Sequence, residues 1–383
     1  MWKLVNFAEI DQSAVKAYCA VHNVAMQKNL GDVSQIDTKQ LPDFTMLCGG
    51  SPCQDFSLAG KQNGVIWTCN DCHYQYNPLE AHYTVRTACP HCHSKDITKT
   101  RSALLIEYLR VLHDKHPRFA FFENVKNITS VRFSKTFNLF LKEIDEYGYN
   151  AYWKVLNAKD YGIPQNRERV YIFIVDKTYD NGQFCFPEPF DNGLCLNDLI
   201  DSADTVDKKY YISEAMLEKL KLVNTPNAVI ETGSVQHLRR LTPKECWRLM
   251  GFTDDLYDKA KQAGIPDTQL YKQAGNSIVT DVLYYIYLAV YKAMPYLFED
   301  LTVLSLFSGI GAFETALDRF YANTSDTSIS NCRNNTKGKD TTEIFIIDAT
   351  YIKRAPRIYT AYAPTLRAGR AGYIVCQCKC TCD

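Results

Sequence analysis

The stretch LSLFSGIGAFETAL, residues 304–317, decides the fold expected of this chain. It reads as an apolar strand, then a turn with glycines at 309 and 311, then a helix with apolar residues at helical spacing. Turns of this kind usually follow the first strand of a doubly wound α/β sheet and cradle a nucleotide cofactor. Here the stretch comes near the end of the chain, so the order of the elements itself needs an explanation.

Strand and helix patterns alternate upstream of this stretch. Strands are predicted at 2–10, 44–53, 118–125, 151–156 and 169–175, and helices at 12–24, 101–116, 134–148, 213–222, 242–252 and 276–294. Such alternation predicts an α/β fold with a doubly wound, mostly parallel sheet that helices cover on both faces.

Composition and charge narrow the class of protein. With 46% apolar residues and a formal net charge of zero, the chain is an ordinary folded protein that can contact nucleic acid only through local patches. The chain shows neither an N-terminal signal segment nor a long apolar run, which predicts no membrane contact and a cytoplasmic location in a bacterium or phage-infected cell. Fifteen cysteines then indicate a reducing compartment, where thiols bind metals or catalyse reactions.

Three segments place reactive side chains at the ends of predicted strands. GGSPCQDFS carries Cys53 in a loop after a strand, and FFENV ends a strand at Glu123. QNRERVYI sets Arg167 and Arg169 two residues apart at the start of a strand, so alternation predicts that both point to one face. Taken singly, these residues have ordinary alternatives, namely a buried thiol, a helix cap and an ion-paired strand end.

Taken together, the segments resemble a DNA (cytosine-5) methyltransferase. The matching pieces are SLFSGIGAFE, FAEID, GD at 31–32, GGSPCQDFSLAGK, FFENV, QNRERVYI, RRLTPKECWRLMGF and QAGNS. The resemblance implies a Rossmann-like fold that uses S-adenosylmethionine, double-stranded DNA as the partner, and a target cytosine swung out of the helix.

The resemblance also implies roles for single residues. The Cys53 thiolate would add to carbon 6 of cytosine, while Glu123 contacts N3 and Arg169, with Arg167 beside it, holds O2. The cofactor-binding residues that it implies are Phe307, Gly309, Gly311, Glu9, Asp32, Pro52, Asn276 and Ser277.

The order of the motifs predicts a circular permutant. Most relatives begin with the glycine loop and end with QAGNS, whereas here QAGNS, at 273–277, precedes the loop. Termini that lie close in space can be joined and the chain cut elsewhere in a surface connection. A segment at 363–375 that usually precedes RRLTPKE is displaced as well, and either folds back to complete the recognition domain or is a remnant.

An insertion carries two CxxC pairs, Cys69 with Cys72 and Cys89 with Cys92. This spacing is typical of a zinc ribbon, in which four thiolates surround one zinc ion. The ribbon either contacts DNA or serves as a structural staple for a long loop. The alternating cysteines of the tail, at 376–383, form either a metal site or a frayed, reactive end.

These patterns divide the chain and leave rival functions open. The predicted segments are 1–64, 98–184 and 241–320 for the catalytic domain, 65–97 for the ribbon, 185–240 for target recognition, 321–340 for a linker, 341–375 for the displaced recognition segment, and 376–383 for the tail. One rival is a transfer RNA methyltransferase, and another is a non-catalytic, zinc-dependent nucleic-acid-binding protein. We expect a monomer with a link to a cognate restriction endonuclease.

Overall fold

A computed structural model describes residues 1–52, 55–57, 64–202, 205–211, 235–325, 342–348, 357–359, 363–364 and 373–379. The chain forms two compact units. The first comprises Met1–Leu156, Glu168–Pro187 and Tyr284–Leu317, and the second Asn157–Arg167, Glu188–Leu283 and Asp318–Asp383. Among the described helices, none has both the length and the apolar character needed to cross a bilayer.

The described strands and helices are numbered in chain order. The strands are β1 (Lys3–Ala8), β2 (Met46–Gly49), β3 (Trp67–Cys69), β4 (Gln75–Tyr76), β5 (Ile97–Lys99), β6 (Phe119–Val125), β7 (Tyr149–Asn157), β8 (Gln165–Asn166), β9 (Glu168–Asp176), β10 (Val235–Arg240), β11 (Thr302–Leu306), β12 (Thr342–Asp348), β13 (Arg357–Tyr359), β14 (Ala363–Pro364) and β15 (Tyr373–Lys379). The helices are α1 (Gln12–His22), α2 (Leu105–Lys115), α3 (Ser134–Glu146), α4 (Pro243–Arg248), α5 (Asp254–Gln262), α6 (Asp267–Asn276), α7 (Thr280–Ala293) and α8 (Ala312–Ser325).

A six-stranded sheet with the order β1-β11-β2-β6-β9-β7 forms the centre of the first unit. Strands β1, β11, β2 and β6 run parallel, as the alternating pattern predicts, whereas β9 runs antiparallel to β6. The strand of the glycine loop, β11, thus lies between β1 and β2 although it comes late in the chain. The carboxyl ends of four parallel strands consequently meet at one edge of the sheet, where α/β proteins bind ligands.

Both faces of this sheet are buried, as strand β6 shows. Its successive side chains point to opposite faces of the sheet, and each face is packed against helices. On one face Phe121 contacts the ring of Tyr287 from α7, with centroids 5.1 Å apart. On the other face Phe122 contacts Tyr108 of α2 and Phe140 of α3, at 5.0 and 5.1 Å. A continuous apolar strand buried on both faces is typical of a parallel sheet covered by two layers of helices.

The second unit contains a four-stranded antiparallel sheet built from distant parts of the sequence, with the order β10-β15-β12-β13. Its register sets Arg239 opposite Val375 and Val375 opposite Ile346. A short parallel pair, β14 with β8, joins Ala363 to Gln165. The displaced C-terminal segment therefore pairs with the strand that leads into RRLTPKE.

A buried ion pair fixes the entry to α4 in the second unit. Arg239 is fully buried, and its two terminal nitrogens donate to the Glu245 carboxylate at 2.9 and 2.7 Å. Glu245 also closes a capping box with Thr242, which begins the helix. Removing either partner would leave the other charge buried and unpaired, which is strongly destabilising.

Some predicted elements differ from the structure. The sequence patterns miss α5 and α6, which lie between the predicted helices at 242–252 and 276–294. Helix α8 continues to Ser325, five residues into the segment expected to be a linker. The helix predicted at 213–222 and the rest of the expected linker, 326–340, lie outside the described residues.

Candidate active site

Glu123 and Arg169 come from neighbouring antiparallel strands. In the register of β6 and β9, Val125 lies opposite Arg169, so Glu123, two residues earlier, shares a face with the arginine. Arg169 Nε lies 3.3 Å from Glu123 Oε1, and the two side chains are only 14% and 11% exposed. A carboxylate and a guanidinium are thus fixed side by side at the edge of the sheet where β6 ends.

The residues just before Cys53 are held against the end of β6. A Cβ added to Gly50 would lie 3.0 Å from the Glu123 carbonyl oxygen and 3.2 Å from its Oε2. Asn124 Nδ2 donates to the carbonyl and hydroxyl oxygens of Ser51, at 3.1 and 3.2 Å. Cys53 itself lies outside the described residues, so its role stays a prediction. Sequence reasoning passed over Asn124, although its place in ENV was a signal.

The glycine loop after β11 has the backbone that a close ligand requires. Phe307, Gly309 and Gly311 have φ angles of 54°, 56° and 82°, in the left-handed region. A Cβ added to Gly309 would meet no described atom within 4 Å. Ser308 Oγ is buried and has no hydrogen-bond partner among the described residues. Open space beside Gly309 and an unsatisfied hydroxyl fit a polar ligand such as S-adenosylmethionine.

Glu9 directly follows β1, beside this loop. Its Oε2 accepts a hydrogen bond from the amide of Gly309 at 2.9 Å, and its Oε1 accepts from the amides of Ile10 and Asp11, each at 2.9 Å. The bond between Glu9 and Gly309 joins β1 to the glycine loop although these two residues are 300 positions apart in the sequence. The carboxylate is therefore fixed where a ribose hydroxyl could donate to it.

His22 supports the glycine loop, and sequence reasoning did not identify it. Its Nε2 lies 3.1 Å from the carbonyl oxygen of Ile310, and its ring packs on Tyr18. A Cβ added to Gly311 would lie 2.0 Å from the same Nε2, so only glycine fits there. No sequence signal pointed to His22, because polar residues are common at the end of a helix and do not by themselves indicate a functional role.

Asn29 links Glu9 to the loop that carries Asp32. Its Oδ1 accepts from the amides of Glu9 and Gly31, and its Nδ2 donates to the Glu9 carbonyl oxygen, at 3.0 to 3.1 Å. Asp32 is exposed and accepts bonds from the amide and hydroxyl of Ser34, at 2.9 and 2.8 Å. The first unit thus links Glu9 to the glycine loop and, through Asn29, to the amide of Gly31, which precedes Asp32.

Arg167 has partners different from those of Arg169. The strand is interrupted at Arg167, whose amide donates to the Gln165 carbonyl and to Asn157 Oδ1. Its buried guanidinium donates from Nη2 to the carbonyl oxygens of Gly275 and Ser277, at 3.2 and 2.6 Å. The regular alternation that predicted one shared face for both arginines therefore does not extend through this residue.

Gln165 acts on the same part of the second unit. Its Nε2 donates to the Leu249 carbonyl oxygen at 2.7 Å. In QAGNS, Asn276 is exposed and Ser277 is buried, with Ser277 Oγ 3.3 Å from the Ile278 carbonyl oxygen. The first half of QNRER is thus bonded to elements near QAGNS, whereas Arg169 in its second half is bonded to Glu123.

The four cysteines of the insertion lie together in the first unit. The sulfur atoms of Cys69, Cys72, Cys89 and Cys92 are all within 4.8 Å of one another. Four thiolates around zinc, with Zn–S bonds of about 2.3 Å, form a tetrahedron with edges of about 3.8 Å. The cluster therefore has the ligand type, number and spacing of a structural zinc site.

The two CxxC pairs adopt the same turn. The amide of His73 donates to the Cys69 carbonyl oxygen at 3.0 Å, and the amide of His93 donates to the Cys89 carbonyl oxygen at 2.9 Å. His73 and His93 both have positive φ, 59° and 60°. Strands β3, β4 and β5 form an antiparallel sheet that includes Cys69, the last residue of β3.

Comparison with known proteins places the chain among methyltransferases. It is 34% identical to the type II methyltransferase M2.ScrFI of Lactococcus lactis subsp. cremoris, over 70% of this chain and 72% of that protein. It is 26% identical to the orphan methyltransferase M.SPBetaI of Bacillus phage SPbeta, over 74% of this chain and 90% of that protein.

Fold and family agree with these relatives. The crystal structure of the S. pombe Dnmt2 methyltransferase is similar in fold, with a TM-score of 0.52 and 16% identity, over 75% of this chain and 90% of that one. A sequence profile described as C-5 cytosine-specific DNA methylase matches residues 2–76, 91–235 and 221–292. The matched residues include the segments that carry Glu9, Glu123, Arg169 and QAGNS, and the chain belongs to the C-5 cytosine-specific DNA methylase family.

Proposed function

We propose that this chain transfers a methyl group to carbon 5 of cytosine in double-stranded DNA through a covalent adduct of Cys53. The observation that carries the proposal is the Glu123–Arg169 pair, with Nε and Oε1 3.3 Å apart, at the strand end against which Ser51 is bonded. One acidic and one cationic group beside Gly50 and Ser51, which precede Cys53 in the sequence, suit a ring that must be held at two edges while a thiolate attacks it.

In this mechanism the Cys53 thiolate forms a bond to carbon 6 of the cytosine ring. Electron density then moves toward N3 and O2, which Glu123 and Arg169 hold by hydrogen bonds, and carbon 5 becomes nucleophilic. S-adenosylmethionine, when bound, would supply an electrophilic methyl group, whose bond to sulfur would break with the electron pair staying on the sulfur of the departing S-adenosylhomocysteine. After transfer a base removes the carbon 5 proton, and the thiolate leaves as the double bond of the ring is restored.

The cofactor site that we propose contains Phe307, Gly309, Gly311, Glu9, Asp32, Pro52, Asn276 and Ser277. The open space at Gly309 and the unsatisfied Ser308 hydroxyl support it.

A stacked base is out of reach of a thiol, so the target must leave the duplex at a cost of a few kcal/mol.

Zinc is the metal that we propose for Cys69, Cys72, Cys89 and Cys92. The mutual spacing of their sulfur atoms, within 4.8 Å, and the repeated turn support a closed, four-thiolate structural site. Soft thiolate ligands favour zinc over magnesium or calcium, which prefer oxygen.

We further propose that the chain is a circular permutant and that its C-terminal segment belongs to target recognition. The position of β11 between β1 and β2 supports the permutation. The pairing of β10 with β15 supports the second proposal, because it joins the C-terminal segment to a strand of the expected target-recognition region, 185–240. We infer that the protein acts as a monomer in the cytoplasm of a bacterium or phage-infected cell, together with a cognate restriction endonuclease.

A methylation assay tests the main proposal. The protein is incubated with labelled S-adenosylmethionine and either duplex DNA or transfer RNA, and modified cytosines are mapped by bisulfite sequencing. We expect methylated DNA with the wild-type chain. The methylation rate of Cys53→Ala should be lower by at least about a thousandfold, because no other residue of the proposed mechanism supplies the nucleophile.

A second cysteine provides the control. Cys185 is exposed and lies outside the proposed site, so Cys185→Ser should methylate DNA at the wild-type rate. Methylation of transfer RNA alone would replace the DNA proposal, and binding without transfer would support the non-catalytic alternative. Full activity in Cys53→Ala would exclude the covalent mechanism.

A further inference from the structure

The two ends of the zinc-ribbon insertion are bonded to the chain on both sides of Cys53. Where β5 ends, the Thr100 amide donates to the Ile66 carbonyl oxygen at 3.0 Å, and the Ile66 amide donates to Thr100 Oγ1 at 3.1 Å. Thr100 Oγ1 also donates to the Gly64 carbonyl oxygen at 3.0 Å. The exit of the insertion therefore closes on its entrance and on Gly64.

Ser102, two residues after Thr100, joins the other side. It is fully buried, and its Oγ donates to the Pro52 carbonyl oxygen at 3.1 Å. Its amide donates to Asp55 Oδ2 at 3.1 Å, and the Asp55 amide lies 3.3 Å from Ser102 Oγ. The residues Pro52, Asp55, Gly64, Thr100 and Ser102 are here called the clasp.

The far part of the insertion is anchored on the helices of the first unit. Arg86 forms a two-pronged ion pair with Glu143 of α3, in which the two side chains are 8% and 5% exposed. Tyr83 packs edge-on against Tyr147, with ring centroids 5.1 Å apart. Asn77 Nδ2 donates to Thr136 Oγ1 at 3.0 Å. Through these contacts the insertion packs along α3 as part of the first unit.

Trp67 and Leu79 of the insertion pack in the core of the first unit, whereas the segments around the cysteines contain only short strands. Strand β3 pairs with only two residues of β4 and three of β5. Residues 70–75 and 90–96, around the cysteines, are mostly exposed and bury little apolar surface of their own, so metal binding supplies much of their folding free energy. Because β3 begins one residue after Ile66 and β5 ends one residue before Thr100, ordering the ribbon also orders the clasp.

We propose that the metal-bound cysteine cluster is a positioning device for the nucleophile, because the ordered ribbon holds the clasp and the clasp fixes Pro52 and Asp55 on either side of Cys53. The inference rests on the proposed function of Cys53. It makes the ribbon an internal support of the catalytic site, and DNA reading by the ribbon becomes an alternative outcome of the test.

The test compares Cys89→Ser, Ser102→Ala and the control Cys185→Ser in the full chain. Metal content is measured by mass spectrometry, clasp order by hydrogen–deuterium exchange of peptides covering 50–66, and nucleophile placement by the rate of covalent trapping on saturating duplex DNA containing 5-fluorocytosine. Dissociation constants for the cofactor and for DNA are measured alongside.

We expect Cys89→Ser to lose the metal, to exchange faster in the clasp, and to trap at least about tenfold more slowly, because small misplacements of reacting groups have large costs. Ser102→Ala should keep one equivalent of metal and still show the faster exchange and slower trapping. Cofactor affinity should change less than the trapping rate in both variants, because Pro52 is the one proposed cofactor residue that belongs to the clasp, and Cys185→Ser should behave as wild type.

Two outcomes would overturn the proposal. Wild-type trapping by Ser102→Ala would show that the clasp does not position the nucleophile. Weaker DNA binding by Cys89→Ser, with wild-type exchange in the clasp and a wild-type trapping rate at saturating DNA, would show that the ribbon reads DNA. If the wild-type chain traps no substrate, the proposed function fails, while the exchange measurements still decide whether the metal orders the clasp.

Discussion

Gly309 and Gly311 lie two residues apart in the glycine loop, yet alanine at each position meets different surroundings. At Gly311 the new Cβ would lie 2.0 Å from His22 Nε2, on a backbone with φ of +82°. At Gly309 it would meet no described atom within 4 Å, with φ of +56°. We expect Gly311→Ala to lower the free energy of unfolding by roughly 2–5 kcal/mol, through overlap and backbone strain together. Gly309→Ala should cost roughly 1–2 kcal/mol, through backbone strain alone.

Urea unfolding followed by tryptophan fluorescence measures both costs, and calorimetric titration measures binding of S-adenosylmethionine. The Cβ of Gly309→Ala points into the space proposed for the cofactor, so this more stable variant should lose about tenfold or more in affinity. Adding His22→Ala to Gly311→Ala supplies a check. The second substitution removes the overlapping ring, so the double variant should regain part of the stability that Gly311→Ala loses. Equal stability of the two glycine variants would contradict the close packing of His22 on the loop.

Single residues of the site were predictable where a motif carried a distinct chemical role. Glu123 and Arg169 were expected to act together, and the structure sets Nε and Oε1 3.3 Å apart. Asn124, His22 and Asn29 were not predicted, because each acts by bonding to backbone groups that are far away in the sequence. Such partners depend on how strands and loops meet, which local pattern does not encode.

At the scale of elements, helix α6 shows how Arg167 connects the catalytic motifs. The last carbonyl groups of a helix have no partner within the helix, and they form the negative end of its dipole. Arg167 donates to two carbonyl oxygens there, those of Gly275 and Ser277. We expect Arg167→Met to leave these buried oxygens unsatisfied, at a cost of about 1–3 kcal/mol. The variant should therefore show faster amide hydrogen exchange in residues 273–279. It should also bind S-adenosylmethionine more weakly when binding is measured without DNA.

Arg169→Met is the matched comparison for this prediction, since its partner is Glu123 in the first unit. It should slow covalent trapping on 5-fluorocytosine DNA and leave both the exchange at 273–279 and the affinity for the cofactor at wild-type values. Arg167→Lys keeps the charge and should recover part of the cofactor affinity. If Arg167→Met bound the cofactor normally and failed only in trapping, Arg167 would act on the base, as the family resemblance implied.

Elements with a clear apolar period were predicted well, whereas short polar helices were not. Strand β6 and helices α2 and α3 follow their patterns because each buries one or both faces in the core of the first unit. Helix α5 is mostly charged and buries only Tyr257 and Ala260, and α6 ends at a glycine-containing motif, so neither presented a strong helical signal. The antiparallel direction of β9 also had no local signal, since direction depends on the connection and on the partner strand.

At the scale of the whole molecule, chain order and spatial order separate. The glycine-loop strand occupies the position between β1 and β2, and contacts such as that of Glu9 with Gly309 hold it there although these two residues are 300 positions apart in the sequence. Motif order predicts a circular permutation, and the position of β11 between β1 and β2 supports that proposal. The sequence did not decide whether the displaced C-terminal segment pairs with the rest of the second unit, because strand pairing across more than a hundred residues leaves no local trace.

Cutting the chain between α8 and β12 tests that pairing in solution. Strand β15 pairs with β10 over Val235–Arg240, and β14 pairs with β8, so a fragment beginning near Thr342 has two sets of backbone hydrogen bonds to the rest of the second unit. We expect a chain with a protease site inserted at 330–335 to be cut completely and yet to elute as one species from a sizing column, with DNA methylation retained. The same cut chain passed over the column in about 6 M urea should separate into two fragments, because denaturant removes the pairing. Separation without urea, with activity intact in the larger fragment, would mean that the C-terminal segment is a remnant, whereas separation with loss of activity would mean that it is required but weakly held.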